Sequence, residues 1–72
     1  MLEMTEEAAV ERVMSWIRRK GYSGEIRVMG VESRDGGYFD VMLSIPNGLF
    51  ILKPDLSVED NYNVFNRMLL RG

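Results

Sequence analysis

Apolar residues recur with two different periods along this chain, and each change of period marks an element. Over residues 5–20, Val10, Val13, Met14 and Ile17 follow the i, i+3, i+4, i+7 spacing of one helical face, and Ala9 and Trp16 widen it. Thr5 is placed to cap this helix. Glu6 and Glu7 sit at the positive end of its dipole, and Arg18, Arg19 and Lys20 at the negative end. Gly21 suits the left-handed position after the last turn, with Tyr22 folding back onto Ile17.

The period then shortens to two. "EIRVMGVE" (25–32), "YFDVMLSI" (38–45) and "LFILK" (49–53) are rich in β-branched and aromatic residues and are bounded by turn residues, so they read as three strands. In "IPNGL", Pro46 suits the first central position of a type I turn and Gly48 the left-handed position after it. The expected connection is a three-residue hairpin that pairs Ile45 with Leu49 and Leu43 with Ile51. A two-residue Asp35-Gly36 turn closes the first hairpin, pairing Glu32 with Phe39 and Val28 with Leu43. A three-residue closure would set Glu32 opposite Asp40, and like charges across a strand pair are unfavourable.

These registers give the sheet one apolar face, with Ile26, Val28, Phe39, Val41, Leu43, Ile45, Leu49 and Ile51. The other face is mixed: Met29, Val31, Met42, Phe50 and Leu52 gather among Arg27, Tyr38 and Asp40. Beyond the strands a second helix is expected, opened by Ser57 with Asp60 three residues on, in the manner of a capping box. On a helical wheel Val58, Tyr62, Phe65 and Leu69 line up, and Asn61 falls inside their apolar arc. A buried amide left unpaired costs roughly 1–3 kcal/mol, so Asn61 needs a partner. The structural reading has it bond the carbonyls of residues 53–56; the sharper one makes it the polar handle of a small-ligand pocket. Asn63 and Asn66 fall on the solvated side.

Composition narrows the function. The chain has 72 residues, no cysteine and no histidine. Disulfides, thiolate nucleophiles, histidine acid–base chemistry and the usual zinc sites are thereby excluded, and no cofactor is expected. Small domains bury a modest fraction of their surface, so association is the remaining common reinforcement. The formal charge is −2 with both signs interspersed, which gives no strong field towards nucleic acid or an anionic membrane. The first ten residues, "MLEMTEEAAV", carry acids where a signal peptide carries bases, and no apolar run has the length of a membrane span. A cytoplasmic location is the expectation.

Candidate chemistry is sparse. A nucleophile needs an activating base within reach, and the registers above place Glu32 and Asp40 on opposite faces. "DLSVEDNYNVFN" (55–66) sets oxygen-bearing residues at alternate positions but lacks the glycine and final glutamate of a calcium loop. Neither "GYSGE" nor "RDGGY" has the spacing of a phosphate-binding loop. A non-enzymatic domain is the reading that remains.

The expected fold is a single α+β domain of two layers, α-β-β-β-α, with a three-stranded antiparallel meander in order 1-2-3 and both helices on one face. A second helix crossing to the mixed face is the competing arrangement. With both helices on one side, Met29, Val31, Met42, Phe50 and Leu52 form an exposed apolar patch, and such patches mark interaction sites. The leading expectation is a protein-interaction module that self-associates through this face, most simply as a symmetric homodimer. The alternative is RNA or DNA binding through Arg27, Tyr38 and Phe50 with Arg18 and Arg19; small-ligand binding near Asn61 stands third.

Overall fold

The computed structural model describes residues 4–44 and 48–60. Within them the chain forms one helix, α1 (Glu6–Arg19), and four strands, β1 (Val28–Arg34), β2 (Tyr38–Leu43), β3 (Gly48–Leu52) and β4 (Val58–Asp60). The strands form one antiparallel sheet in order β1-β2-β3-β4, a small α+β domain.

Local chemistry sets both ends of α1. Thr5 Oγ1 accepts from Ala8 N–H at 3.0 Å, with Glu6 and Glu7 in the first turn. At the other end Gly21 takes φ 104°; its N–H donates to the Arg18 carbonyl and the Tyr22 N–H to that of Ile17, at 3.0 and 3.4 Å. This is the six-to-one and five-to-two closure that needs a residue free to adopt positive φ. Tyr22 packs against the core, as the sequence led one to expect.

The core lies between α1 and one face of the sheet. Ala9, Val13 and Ile17 meet Phe39, Val41, Leu43, Phe50 and Leu52, with Val10, Trp16, Ile26, Val31 and Val58 at the margin. Trp16 meets Phe50 edge to face, ring centroids 6.1 Å apart at 63°, a geometry worth about 0.5–1.5 kcal/mol beyond the area it buries. The same indole carries Lys20 Nζ at 5.2 Å from the ring centroid.

Both expected hairpin registers need correction. In the first hairpin Gly30 lies opposite Met42, Glu32 opposite Asp40 and Arg34 opposite Tyr38, across a loop of Asp35, Gly36 and Gly37. Glu32 therefore faces Asp40 and not Phe39. Gly36 and Gly37 both take positive φ, 85° and 86°, which lets the three-residue loop close. Repulsion between Glu32 and Asp40 is offset by Arg34, whose Nε lies 3.1 Å from Asp40 Oδ1, although its direction misses a hydrogen bond. Both effects at a surface are below about 1 kcal/mol, so they nearly cancel and packing decides. Packing favours this register because Val31 now stands opposite Val41 and joins the core margin. An irregularity between Val28 and Gly30 then absorbs one residue and restores the expected pair of Val28 with Leu43.

In the second hairpin Leu43 lies opposite Gly48, Val41 opposite Phe50 and Phe39 opposite Leu52. The expected pair of Leu43 with Ile51 is three residues out of register. An odd slip exchanges the faces of a strand, so Phe50 and Leu52 point into the core while Leu49 and Ile51 point away. Gly48 is a β3 residue opposite Leu43; the expected partner Ile45, with Pro46, lies outside the described residues.

The expected second helix also changes at its start. Residues 58–60 form β4, pairing Phe50 with Asp60 and Leu52 with Val58. Ser57 does not open a capping box: its N–H and hydroxyl both donate to Asp55 Oδ1, at 3.0 and 2.6 Å. The β3–β4 connection is closed by Lys53 N–H to the Ser57 carbonyl and Leu56 N–H to the Lys53 carbonyl, with Leu56 at φ 70°. It is the three-residue hairpin loop that the sequence reading placed at residues 46–48. The remainder of the expected helix, with Asn61, Tyr62, Phe65 and Leu69, lies outside the described residues.

Two predictions test this register. Phe50→Ala should cost about 3–5 kcal/mol, enough to unfold much of a domain this small, while Ile51→Ala costs well under half of that in urea denaturation. Equal costs would contradict the observed phase of β3. Leu56 is exposed and pays a left-handed penalty of roughly 1–2 kcal/mol. Leu56→Gly should therefore stabilise by about 0.5–1 kcal/mol, read as a melting temperature several degrees higher; a fall would show that the side chain matters more than the backbone.

Candidate functional site

The sheet surface opposite α1 is organised in rows, because cross-strand partners share a face. Gly30, Met42 and Leu49 make the first row. Glu32, Asp40, Ile51 and Glu59 make the second. Arg34 and Tyr38 begin the third, and Lys53 reaches this face at the end of β3.

The charges of this face are largely matched within the chain. Arg34 reaches Asp40, and Lys53 Nζ lies 3.4 Å from Glu59 Oε1. The Arg34 guanidinium also stands over Tyr38, 5.7 Å from the ring centroid. What is left without a polar assignment is the apolar first row and Ile51. Met42 is 44% exposed, and its methyl group lies over Gly30, where an added Cβ would come within 3.0 Å of it. Leu49 and Ile51 are half-buried beside it.

The five residues expected to form the patch separate in space. Met42 stands on the open face, and Met29, at the β1 irregularity, is 64% exposed. Val31 is half-buried and turned to the core side. Phe50 and Leu52 are fully enclosed under α1. Leu49 and Ile51 take their place in the patch, and the alternation rule could not have found them. "GLFIL" has four consecutive large apolar residues, so its polarity carries no phase.

The expected nucleic-acid platform is not assembled either. Phe50 is buried, and Tyr38 lies on the face opposite the helix that bears Arg18 and Arg19. Arg18 Nη1 donates to the carbonyls of Tyr22 and Gly24, at 3.2 and 2.8 Å, and so fastens the connection after α1. The Arg27 N–H donates to Ser44 Oγ and the Ser44 N–H to the Arg27 carbonyl, extending the first hairpin. Asn61, the expected polar handle, lies outside the described residues.

Two shallow depressions border the exposed side of α1, one lined by Met4, Ala8, Glu11, Arg12, Ser15 and Arg19, the other by Glu11, Met14, Ser15, Arg18 and Arg19. Among the described residues no three acidic, histidine or cysteine side chains are grouped to hold a metal ion, and no helix is long and apolar enough to cross a membrane. Comparison with protein-family models, curated proteins and solved structures gives no match.

One carboxyl has a displaced titration. Asp55 is held below its ordinary value of 3.8, first by the Ser57 hydroxyl and then by the Ser57 backbone N–H. A carboxyl lowered in the folded state adds stability that is complete above 3.8 and is lost as pH falls through the lowered value. The turn carrying Lys53 and Glu59 should thus be unchanged near neutrality and loosen only in acid. An NMR titration of the Asp55 carboxyl should show its midpoint rising towards 3.8 in Ser57→Ala; an unmoved midpoint would remove the hydroxyl as the main cause.

Proposed function

We propose that this domain is a non-enzymatic interaction module whose open sheet face docks on the same face of a second copy. The supporting observation is the row of Gly30, Met42 and Leu49 with Ile51 beside it, apolar and turned away from α1. Methionine suits such a contact because its unbranched side chain adapts to the opposing surface. The flanking Arg34–Asp40 and Lys53–Glu59 pairs keep their charges matched as the face is covered, which leaves Glu32, on the border strand β1, as the carboxylate to stay in water at the rim. A two-fold arrangement brings the apolar row of each copy against the other, the simplest closed assembly for a self-complementary patch.

Met42→Lys places an ammonium in the centre of that contact. Sedimentation equilibrium should show association weakened at least tenfold, with an unchanged far-UV circular dichroism spectrum because Met42 lies outside the core. Unaltered association would sink this reading of the face. A gain of salt-sensitive RNA affinity in place of self-association would move the function to the nucleic-acid alternative.

A further inference from the structure

The loop of Asp35, Gly36 and Gly37 joins β1 to β2 and is exposed along its whole length. It carries one of the chain's four aspartates, and the other three are held. Asp40 is paired with Arg34, Asp55 accepts twice from Ser57, and Asp60 is buried. Asp35 stands in solvent, and its carboxyl makes no hydrogen bond or ion pair among the described residues. The Gly36 N–H makes no hydrogen bond among them either. Asp35 is also the one aspartate followed by glycine; Val41, Leu56 and Asn61 follow the others.

These features set an electrophile beside a nucleophile. Attack of the Gly36 backbone nitrogen on Asp35 Cγ closes a five-membered ring, and glycine has no Cβ to crowd the approach. The C–N bond forms as the carboxyl hydroxyl leaves with the amide proton, as water. Water then adds to either carbonyl of the cyclic imide. Breaking the ring at Cγ returns aspartate. Breaking it at the backbone carbonyl leaves the chain running through Cβ and Cγ, an isoaspartate whose free carboxylate is the former backbone carbonyl. One water leaves and one returns, so mass is unchanged and no oxidant or cofactor takes part.

We propose that Asp35 is a site of spontaneous covalent modification, at which the Asp35–Gly36 linkage isomerises through a cyclic imide to isoaspartate. The product carries one more backbone atom between Arg34 and Tyr38, the pair that closes the hairpin. Arg34 also stands over the Tyr38 ring and pairs with Asp40, which faces Glu32. Isomerisation therefore loosens this end of the sheet. The reaction needs no second copy of the chain and is independent of the docking face.

The test is peptide mapping of the folded native chain after weeks at physiological temperature and neutral pH. Electron-transfer fragmentation locates an isoaspartate by its altered backbone cleavage. Isoaspartate should accumulate at residue 35 and not at Asp40 or Asp55. Asp35→Glu would need a six-membered ring and should abolish the product, with an unchanged circular dichroism spectrum. Asp35→Asn forms the same imide with ammonia as the leaving group and should yield it several times faster. Asn47 and Gly48 form such a ring too, but with a gain in mass that isomerisation at Asp35 lacks, so the two are read separately. A folded chain that keeps aspartate at residue 35 overturns the proposal, and isomerisation in urea alone would assign the protection to the turn. Equal yields at Asp40 or Asp55 would overturn the part given to glycine and exposure. The purified isomerised chain should melt several degrees below the native one; an equal melting temperature overturns the loosening of the hairpin.

Discussion

The burial of Phe50 against Trp16 is the constraint on which the remaining arrangement depends. Among the described residues one face of the sheet is covered, by α1, and the largest buried side chains occupy it. Once Phe50 points towards α1, Leu52 follows it inward, and Leu49 and Ile51 are carried outward by the pleat. Partners across the ladder then fix Phe39, Val41 and Leu43 as core, and set Met42 beside Leu49 on the far side. The identity of the open surface is thus a consequence of how one aromatic ring is buried.

The two layers treat charge in different ways, and this bears on how the domain meets other molecules. On the sheet, basic and acidic residues lie on neighbouring strands, close enough to satisfy one another. On the outer side of α1, Glu11, Arg12 and Arg19 make no ion pair among the described residues, and Arg18 is held by the carbonyls of Tyr22 and Gly24. One layer therefore offers apolar contact with little change in electrostatics; the other offers charge with little apolar area.

The helix was legible in the sequence because its signals are local. Thr5, the acidic first turn, the basic last turn and Gly21 act within a few residues of the groups they satisfy, and the structure shows each in its place. Three of the four strands were legible as strands, β3 among them out of phase, while β4 was read as the start of a helix. In β3 every central residue is apolar, so nothing local distinguishes inward from outward; only Trp16, more than thirty positions away, does so. In the first hairpin the pair of Val28 with Leu43 was legible, while the irregularity beside Met29 was hidden because the rule against facing Glu32 and Asp40 ignored Arg34. Ser57 and Asp60 show a third kind of ambiguity. A hydroxyl three residues before a carboxylate fits a helix cap, but Asp55, two residues earlier, accepts from the same hydroxyl and bends the chain into β4 instead. The candidate patch inherited these errors: Met29 and Met42 are exposed as expected, but Leu49 and Ile51 hold the outward positions that had been given to Phe50 and Leu52.

The irregular step at Met29 has a consequence for how copies of this chain avoid one another. β1 is the longest of the four strands and borders the sheet, so its outer backbone groups form a template on which another strand could lie. An extra residue near its start breaks the regular spacing of those groups and bends the strand away from a straight partner. Endless edge-to-edge growth of the sheet from this border into fibres is thereby disfavoured.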